Sequence, residues 1–168
     1  MSRFSEYDDW DNETILATGR WKARMNAVLR GKPAQPFFRE LEQALLAMPE
    51  RRLIEGALVE EGQVCALGQL LAHRQVQAGV SREQALATLE KEFPWGDDPH
   101  SNADAAARET GMTVSLAELI QWMNDEEVGS GVTPERRWQA MLDWTRAQIR
   151  PVVAATHGTQ PEEREGAG

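Results

Sequence analysis

The sequence has little raw material for the commonest catalytic and metal-binding sites. Its 168 residues include one cysteine, three histidines and one tyrosine. A single cysteine excludes an intramolecular disulfide and fits a reducing compartment. No stretch approaches the roughly 18 consecutive apolar residues of a membrane span, and residues 1–10 carry three carboxylates without the apolar core of a secretory signal. We therefore expect a cytoplasmic protein that has no membrane partner.

Well-known catalytic and nucleotide-binding motifs are missing too. The chain lacks a phosphate-binding Gly-x-x-x-x-Gly-Lys-Ser/Thr, a Gly-x-Gly-x-x-Gly, a His-Glu-x-x-His and a Gly-x-Ser-x-Gly. What it does have is 41% hydrophobic residues, enough at this length for a core without metals or disulfides. These features favour a folded protein that is not an enzyme and needs no cofactor.

Hydrophobic residues recur at helical spacing through most of the chain, and no alternating strand pattern stands out. This predicts an all-α fold: a single compact domain of about seven or eight helices over residues 12–150. A flexible acidic head (1–11) and a disordered tail (151–168) would flank it. Predicted helices include residues 12–30, a strongly amphipathic one from Phe37 to Met48, and one over 51–60. Ser81, Ser115 and Thr133 are predicted to cap later helices.

Charge is unevenly distributed along the chain. The net charge is −9, yet residues 14–39 contain six basic residues and no acidic one. Such a segment can bind phosphates or an acidic partner, or it can pair internally with the acidic head. The candidate nucleic-acid-binding or partner-binding residues are Arg20, Lys22, Arg24, Arg30, Lys32 and Arg39.

A second candidate surface lies where a predicted helix ends. Asn124, Asp125 and Glu126 put acidic residues at a carboxyl terminus, where the helix dipole disfavours them. Because local rules are broken most often at functional sites, we predict a partner-binding surface there that also includes Arg136 and Trp138. The alternative is pairing of these carboxylates with Arg136 and Arg137.

Two further groups have weaker chemical support. Cys65 and His73 are eight residues apart, about 12 Å along one helix, too far for direct contact. Flanking apolar residues favour Cys65 as a small core residue. A second group could supply metal ligands, but its spacing matches no metal motif and helix capping explains much of it. It consists of Asp97, Asp98, His100 and Asp104.

Five short motifs occur together in a recognisable order, from Arg30 to Trp138. They are Arg-Gly-Lys (30–32), Phe-x-Arg-Glu-Leu (37–41, read from Phe37), Cys-Ala-Leu-Gly (65–68), Asn-Asp-Glu (124–126) and Thr-Pro-Glu-x-Arg-Trp (133–138). With its motifs in this order, the chain resembles, over about residues 20–150, a group of small proteins encoded by phages and prophages. Pro33 and Ala34 depart from that pattern. The resemblance implies an accessory protein inside a bacterial host cell, and it implies no particular activity.

The leading hypothesis is a non-enzymatic module that binds a host or phage protein, for example to inhibit a host process or a defence complex. One alternative is a nucleic-acid-associated protein that uses residues 20–39. Another is a metal-dependent enzyme. Oligomeric state and a role in the virion stay open.

Overall fold

Seven α-helices and one short hairpin form the parts of the chain described by the structure, a computed structural model that covers residues 6–94 and 99–152. A 3₁₀ turn at 32–34 joins the first two helices, and a π-helical turn at 123–127 extends the sixth. The prediction of a compact, mostly helical domain is confirmed. In chain order the elements are α1 (Glu6–Arg30), α2 (Gln35–Leu46), β1 (Val59–Glu60), β2 (Gln63–Val64), α3 (Ala66–Gln77), α4 (Arg82–Glu92), α5 (Pro99–Thr110), α6 (Val114–Trp122) and α7 (Pro134–Gln148).

The core lies where α2, α3, α6 and α7 meet. Phe38 and Leu41 from α2, Leu70 from α3, Ile120 from α6 and Met141 from α7 are all fully buried. They belong to one continuous cluster of apolar side chains, as expected of a single domain. None of the described helices is long and apolar enough to cross a membrane.

Two of the three predicted helix caps are confirmed. Ser81 Oγ accepts a hydrogen bond from the Gln84 amide at 3.2 Å, and Thr133 Oγ1 accepts one from Arg136 at 3.3 Å. The prediction that Ser115 caps α6 is wrong, because Thr113 holds that position and accepts from the Leu116 amide at 3.2 Å. Serine and threonine can both cap a helix. Which of the two does so here depends on where the helix begins after the turn at Gly111, whose φ is 77°.

The first helix begins earlier than predicted. Residues 6–11 were expected to be part of a flexible head, but they form the first turns of α1. Acidic residues in a first turn interact favourably with the positive end of the helix dipole, so Glu6, Asp8 and Asp9 promote a helix start here. Because this part of the chain continues the helix, it does not fold back on the basic segment. Residues 1–5 and most of the predicted tail, from 153 onward, lie outside the described residues.

The predicted helix over residues 51–60 is wrong. This segment is irregular, turns at Gly56, whose φ is 83°, and ends in the β1–β2 hairpin, where Val59 pairs with Val64. The Ile54 amide donates to the Val64 carbonyl at 2.9 Å. Glu61 and Gly62, with φ of 50° and 74°, supply the two positive-φ residues that tight hairpins favour. Glu61 and Gly62 indicate a turn in the sequence, but the helical spacing of the apolar residues before them favours a helix over 51–60.

The Cys-Ala-Leu-Gly motif forms the start of α3, where the helix packs against the β1–β2 hairpin. Cys65 is the N-cap, and its Sγ accepts a hydrogen bond from the Gly68 amide at 3.4 Å. The Leu58 carbonyl accepts from the Cys65 amide at 3.2 Å and lies directly over Gly68. A Cβ on Gly68 would come within 1.9 Å of that carbonyl oxygen, so only glycine fits here.

We therefore predict that Gly68→Ala lowers the free energy of unfolding by roughly 3 kcal/mol or more, because backbone must move to admit the methyl group. Urea unfolding followed by circular dichroism measures this. Gly19→Ala is the control: it lies mid-helix, and a Cβ there meets no atom within 4 Å. It should be neutral or stabilise by at most about 1 kcal/mol. Equal, small effects of both changes would contradict the packing at Gly68.

Candidate functional site

Asn124 is the polar centre around which one side of the domain is organised. It is 1% exposed and lies in the π-helical turn after α6. Its Oδ1 accepts from the Ala66 amide at the start of α3, at 3.1 Å. Its Nδ2 donates to the Ile54 carbonyl at 2.9 Å and to Asp125 Oδ1 at 2.7 Å. One side chain thus joins the irregular segment before the hairpin, α3 and the π-helical turn.

Arg137 holds the same turn from the other side. This residue of α7 is 2% exposed and donates to the backbone carbonyls of Asn124 and Gly129, the latter at 2.9 Å. Its guanidinium also pairs with Glu55 at 3.2 Å. A buried arginine is costly unless its donors are satisfied. Among the described residues no buried side-chain nitrogen or oxygen lacks a partner. We call Asn124, Arg137 and their bonded partners the Asn124 network.

These contacts correct part of the predicted partner surface. Asn124 is buried and bonded within the chain, and so is Trp138, whose Nε1 donates to the Leu45 carbonyl at 3.0 Å. Neither side chain is available to a partner in this structure. Arg136 is exposed. The alternative, in which these carboxylates pair with Arg136 and Arg137, is not seen among the described residues, because the carboxylate partner of Arg137 is Glu55.

The π-helical turn leaves Asp125 and Glu126 at the surface. Asp125 is half-buried, and its Oδ1 also accepts from the Gly56 amide at 3.1 Å. Glu126 is exposed. Short π-helical segments occur often at functional sites, because the inserted residue changes where neighbouring side chains point.

Both carboxylates line a groove of ≈ 340 Å³ between α1, α5, α6 and the π-helical turn. At its centre Trp21 of α1 and Trp122 of α6 meet edge to face, with ring centroids 4.7 Å apart. Each ring is half-buried. We call this feature the tryptophan groove. Its lining residues are Trp21, Arg24, Ala103, Glu118, Gln121, Trp122, Asp125 and Glu126.

The tryptophan groove is net acidic. Three carboxylates line it against one cation, Arg24, and that cation is already paired with Glu118 at 3.2 Å. Glu126 has no ion pair among the described residues. The groove brings together one residue from the predicted basic segment and two from the predicted acidic surface. The sequence did not indicate that Trp21 and Trp122 would meet, since they are about a hundred residues apart.

The predicted basic segment does not form one continuous surface. Arg20, Lys22, Arg30 and Lys32 are exposed, but Arg20 and Lys22 lie about 200° apart around the helix axis. The remaining two are engaged within the chain. Arg24 pairs with Glu118, and Arg39 donates to the Arg150 carbonyl at 2.8 Å.

The weaker candidates gain no chemical support. Cys65 is buried, and burial raises the pKa of its thiol to about 12, so the thiol is protonated at neutral pH. His73 contacts Gln77 at 3.4 Å. Asp97 and Asp98 lie outside the described residues, as does the side chain of His100, and Asp104 is exposed. Within residues 6–94 and 99–152 no group of three or more His, Cys, Asp or Glu residues could hold a metal ion.

Comparison of the chain with protein-family models, curated proteins and solved structures finds no match. The resemblance to phage and prophage proteins therefore stays a prediction.

We predict that Asn124→Ala lowers the free energy of unfolding by roughly 2–4 kcal/mol, because it leaves the Ala66 amide and the Ile54 carbonyl without partners. Asn124→Asp should be at least as harmful, since a carboxylate would face the Ile54 carbonyl and Asp125. Chemical denaturation measures both. The matched control is Glu127→Ala, an exposed position three residues on, with an expected change within about 0.5 kcal/mol. A similarly small loss for Asn124→Ala would show that the network is not needed.

Proposed function

We propose that this chain is a non-enzymatic binding module, encoded by a phage or prophage, that docks on a host or phage protein inside the bacterial cell. We further propose that the tryptophan groove receives a basic segment of that partner. The observation that carries the proposal is the half-buried Trp21–Trp122 pair beside the carboxylates of Asp125 and Glu126.

The chemistry of the groove suits an arginine or lysine side chain. Cations bind to the faces of tryptophan rings through the ring quadrupole, with about 0.5–2 kcal/mol per contact. Carboxylates at the rim add charge-assisted hydrogen bonds, which an arginine can donate in a bidentate geometry. Tryptophan is also the residue type most enriched among the energetically dominant positions of protein interfaces. A basic peptide segment satisfies both the aromatic centre and the acidic rim.

The same charges argue against nucleic acid as the ligand of this groove. Phosphates would meet three carboxylates and one arginine that is already paired. The unpaired cations of α1 point in different directions, whereas a surface that binds along a nucleic-acid backbone needs its cations aligned along one path. Nucleic-acid association through residues 20–39 stays a prediction, and salt-dependent binding of DNA or RNA would support it.

Catalysis has less support still. The residues that line the groove include no cysteine, histidine, serine, threonine or lysine, so carboxylates are the only common catalytic groups among them. The cysteine elsewhere is a buried N-cap with a raised pKa. Binding is therefore the function that these side chains support best.

The test is capture of partners by tagged protein from nuclease-treated bacterial lysate, followed by mass spectrometry. Because Glu126 lines the groove, Glu126→Lys should reduce recovery of a specific protein partner by roughly tenfold, through repulsion of its basic segment. The matched control is Glu127→Lys, which adds the same charge one residue further along, at an exposed position that does not line the groove.

Recovery that survives nuclease, falls with Glu126→Lys and persists with Glu127→Lys would support the proposal. Equal recovery by both variants would place the binding surface elsewhere. Loss of all bound material on nuclease treatment would instead favour the nucleic-acid alternative.

A further inference from the structure

The first half of α1 exposes large apolar side chains. Residues 13–20 are all exposed, and Ile15 and Leu16 are 62% and 57% exposed. The second half is the part that packs on the domain, with Met25 buried and Trp21 against Trp122 of α6. Exposed apolar residues on a projecting helix indicate an interaction surface, because such helices gain most of their stability from packing.

The charges along α1 are arranged in two opposite blocks. Residues 6–13 contain five carboxylates and no cation, whereas residues 20–30 contain four cations and no carboxylate. Ile15 and Leu16 lie between the blocks. A helix of this kind is complementary to a second copy of itself when the two run antiparallel, and it is repelled by a copy that runs parallel.

Helical geometry places the charges beside the apolar face. Ile15, Leu16, Gly19 and Ala23 are all exposed and lie on the side of α1 away from Trp21. At about 100° per residue, positions 13 and 20 fall on one flank of that face, and positions 11 and 22 fall on the other. In an antiparallel pair each flank faces the same flank of the other copy. Glu13 then meets Arg20 of the other copy.

We infer that α1 mediates self-association: two copies of the chain pair antiparallel through the Ile15–Leu16 face, with the acidic block of each against the basic block of the other. The two-fold axis passes between Leu16 and Ala17, halfway from Glu13 to Arg20. This contact is isologous, so it closes as a dimer. It uses the outer side of α1 and leaves the tryptophan groove free, and it does not rest on the proposed function.

Reciprocal charge reversal tests this arrangement by sedimentation velocity on the full chain. Variant one is Asp11→Lys with Glu13→Lys, and variant two is Arg20→Glu with Lys22→Glu. Each variant alone should associate at least about tenfold more weakly than the wild type, because every flanking pair becomes like-charged. An equimolar mixture should regain association, since each copy then offers the charge that the other lacks.

The control reverses two exposed charges away from α1, Lys91→Glu with Glu109→Lys, and should leave association unchanged. Wild-type association should also weaken as salt is raised through the physiological range. A wild type that stays monomeric at millimolar concentration would overturn the inference. So would association that persists in both variants, or a mixture that fails to recover it.

Discussion

The buried side chain of Asn124 is the interaction on which the rest of this structure depends. The irregular segment at 51–58 has no partner strand, and the start of α3 has backbone amides to satisfy. Asn124 bonds to both, and Arg137 secures the Asn124 carbonyl from α7. Elements far apart in sequence are thereby fixed by a few polar contacts in an otherwise apolar interior. Such networks specify a single arrangement only when every member is satisfied, as it is here.

The network also links fold to proposed function. Because Asn124 points inward, the residues that follow it in the π-helical turn, Asp125 and Glu126, remain at the surface beside Trp122. Within the Asn-Asp-Glu motif, Asn124 thus has a structural role, and Asp125 and Glu126 form the acidic rim that we propose for binding. The unfavourable placement of acids at a helix end is compensated by the Gly56 and Asn124 donors to Asp125. The proposed acidic rim is a consequence of how the core is held together.

Much of the fold could be predicted from the sequence, because helical periodicity and caps such as Ser81 and Thr133 act locally. The errors arose where distant contacts decide the conformation. Residues 51–60 have helical spacing, but pairing of Val59 with Val64 and the Ile54 bond to Asn124 hold them in a non-helical conformation. Gly68 and Trp138 were noticed as motif residues, yet their roles depend on the Leu58 and Leu45 carbonyls, which no local pattern reveals. The tryptophan groove could not be predicted at all, since α1 and α6 meet only in the folded chain.

The central claim, that the tryptophan groove binds a cationic side chain, is tested most directly by nuclear magnetic resonance of the indole N–H groups. The chain has six tryptophans, so a ¹⁵N-labelled sample gives a small, resolvable set of signals. Titration with a short oligo-arginine peptide should shift the Trp21 and Trp122 signals saturably. The Trp138 signal should stay in place, because its N–H is bonded to the Leu45 carbonyl in the core. Unchanged Trp21 and Trp122 signals, with shifts confined to other parts of the chain, would contradict the account.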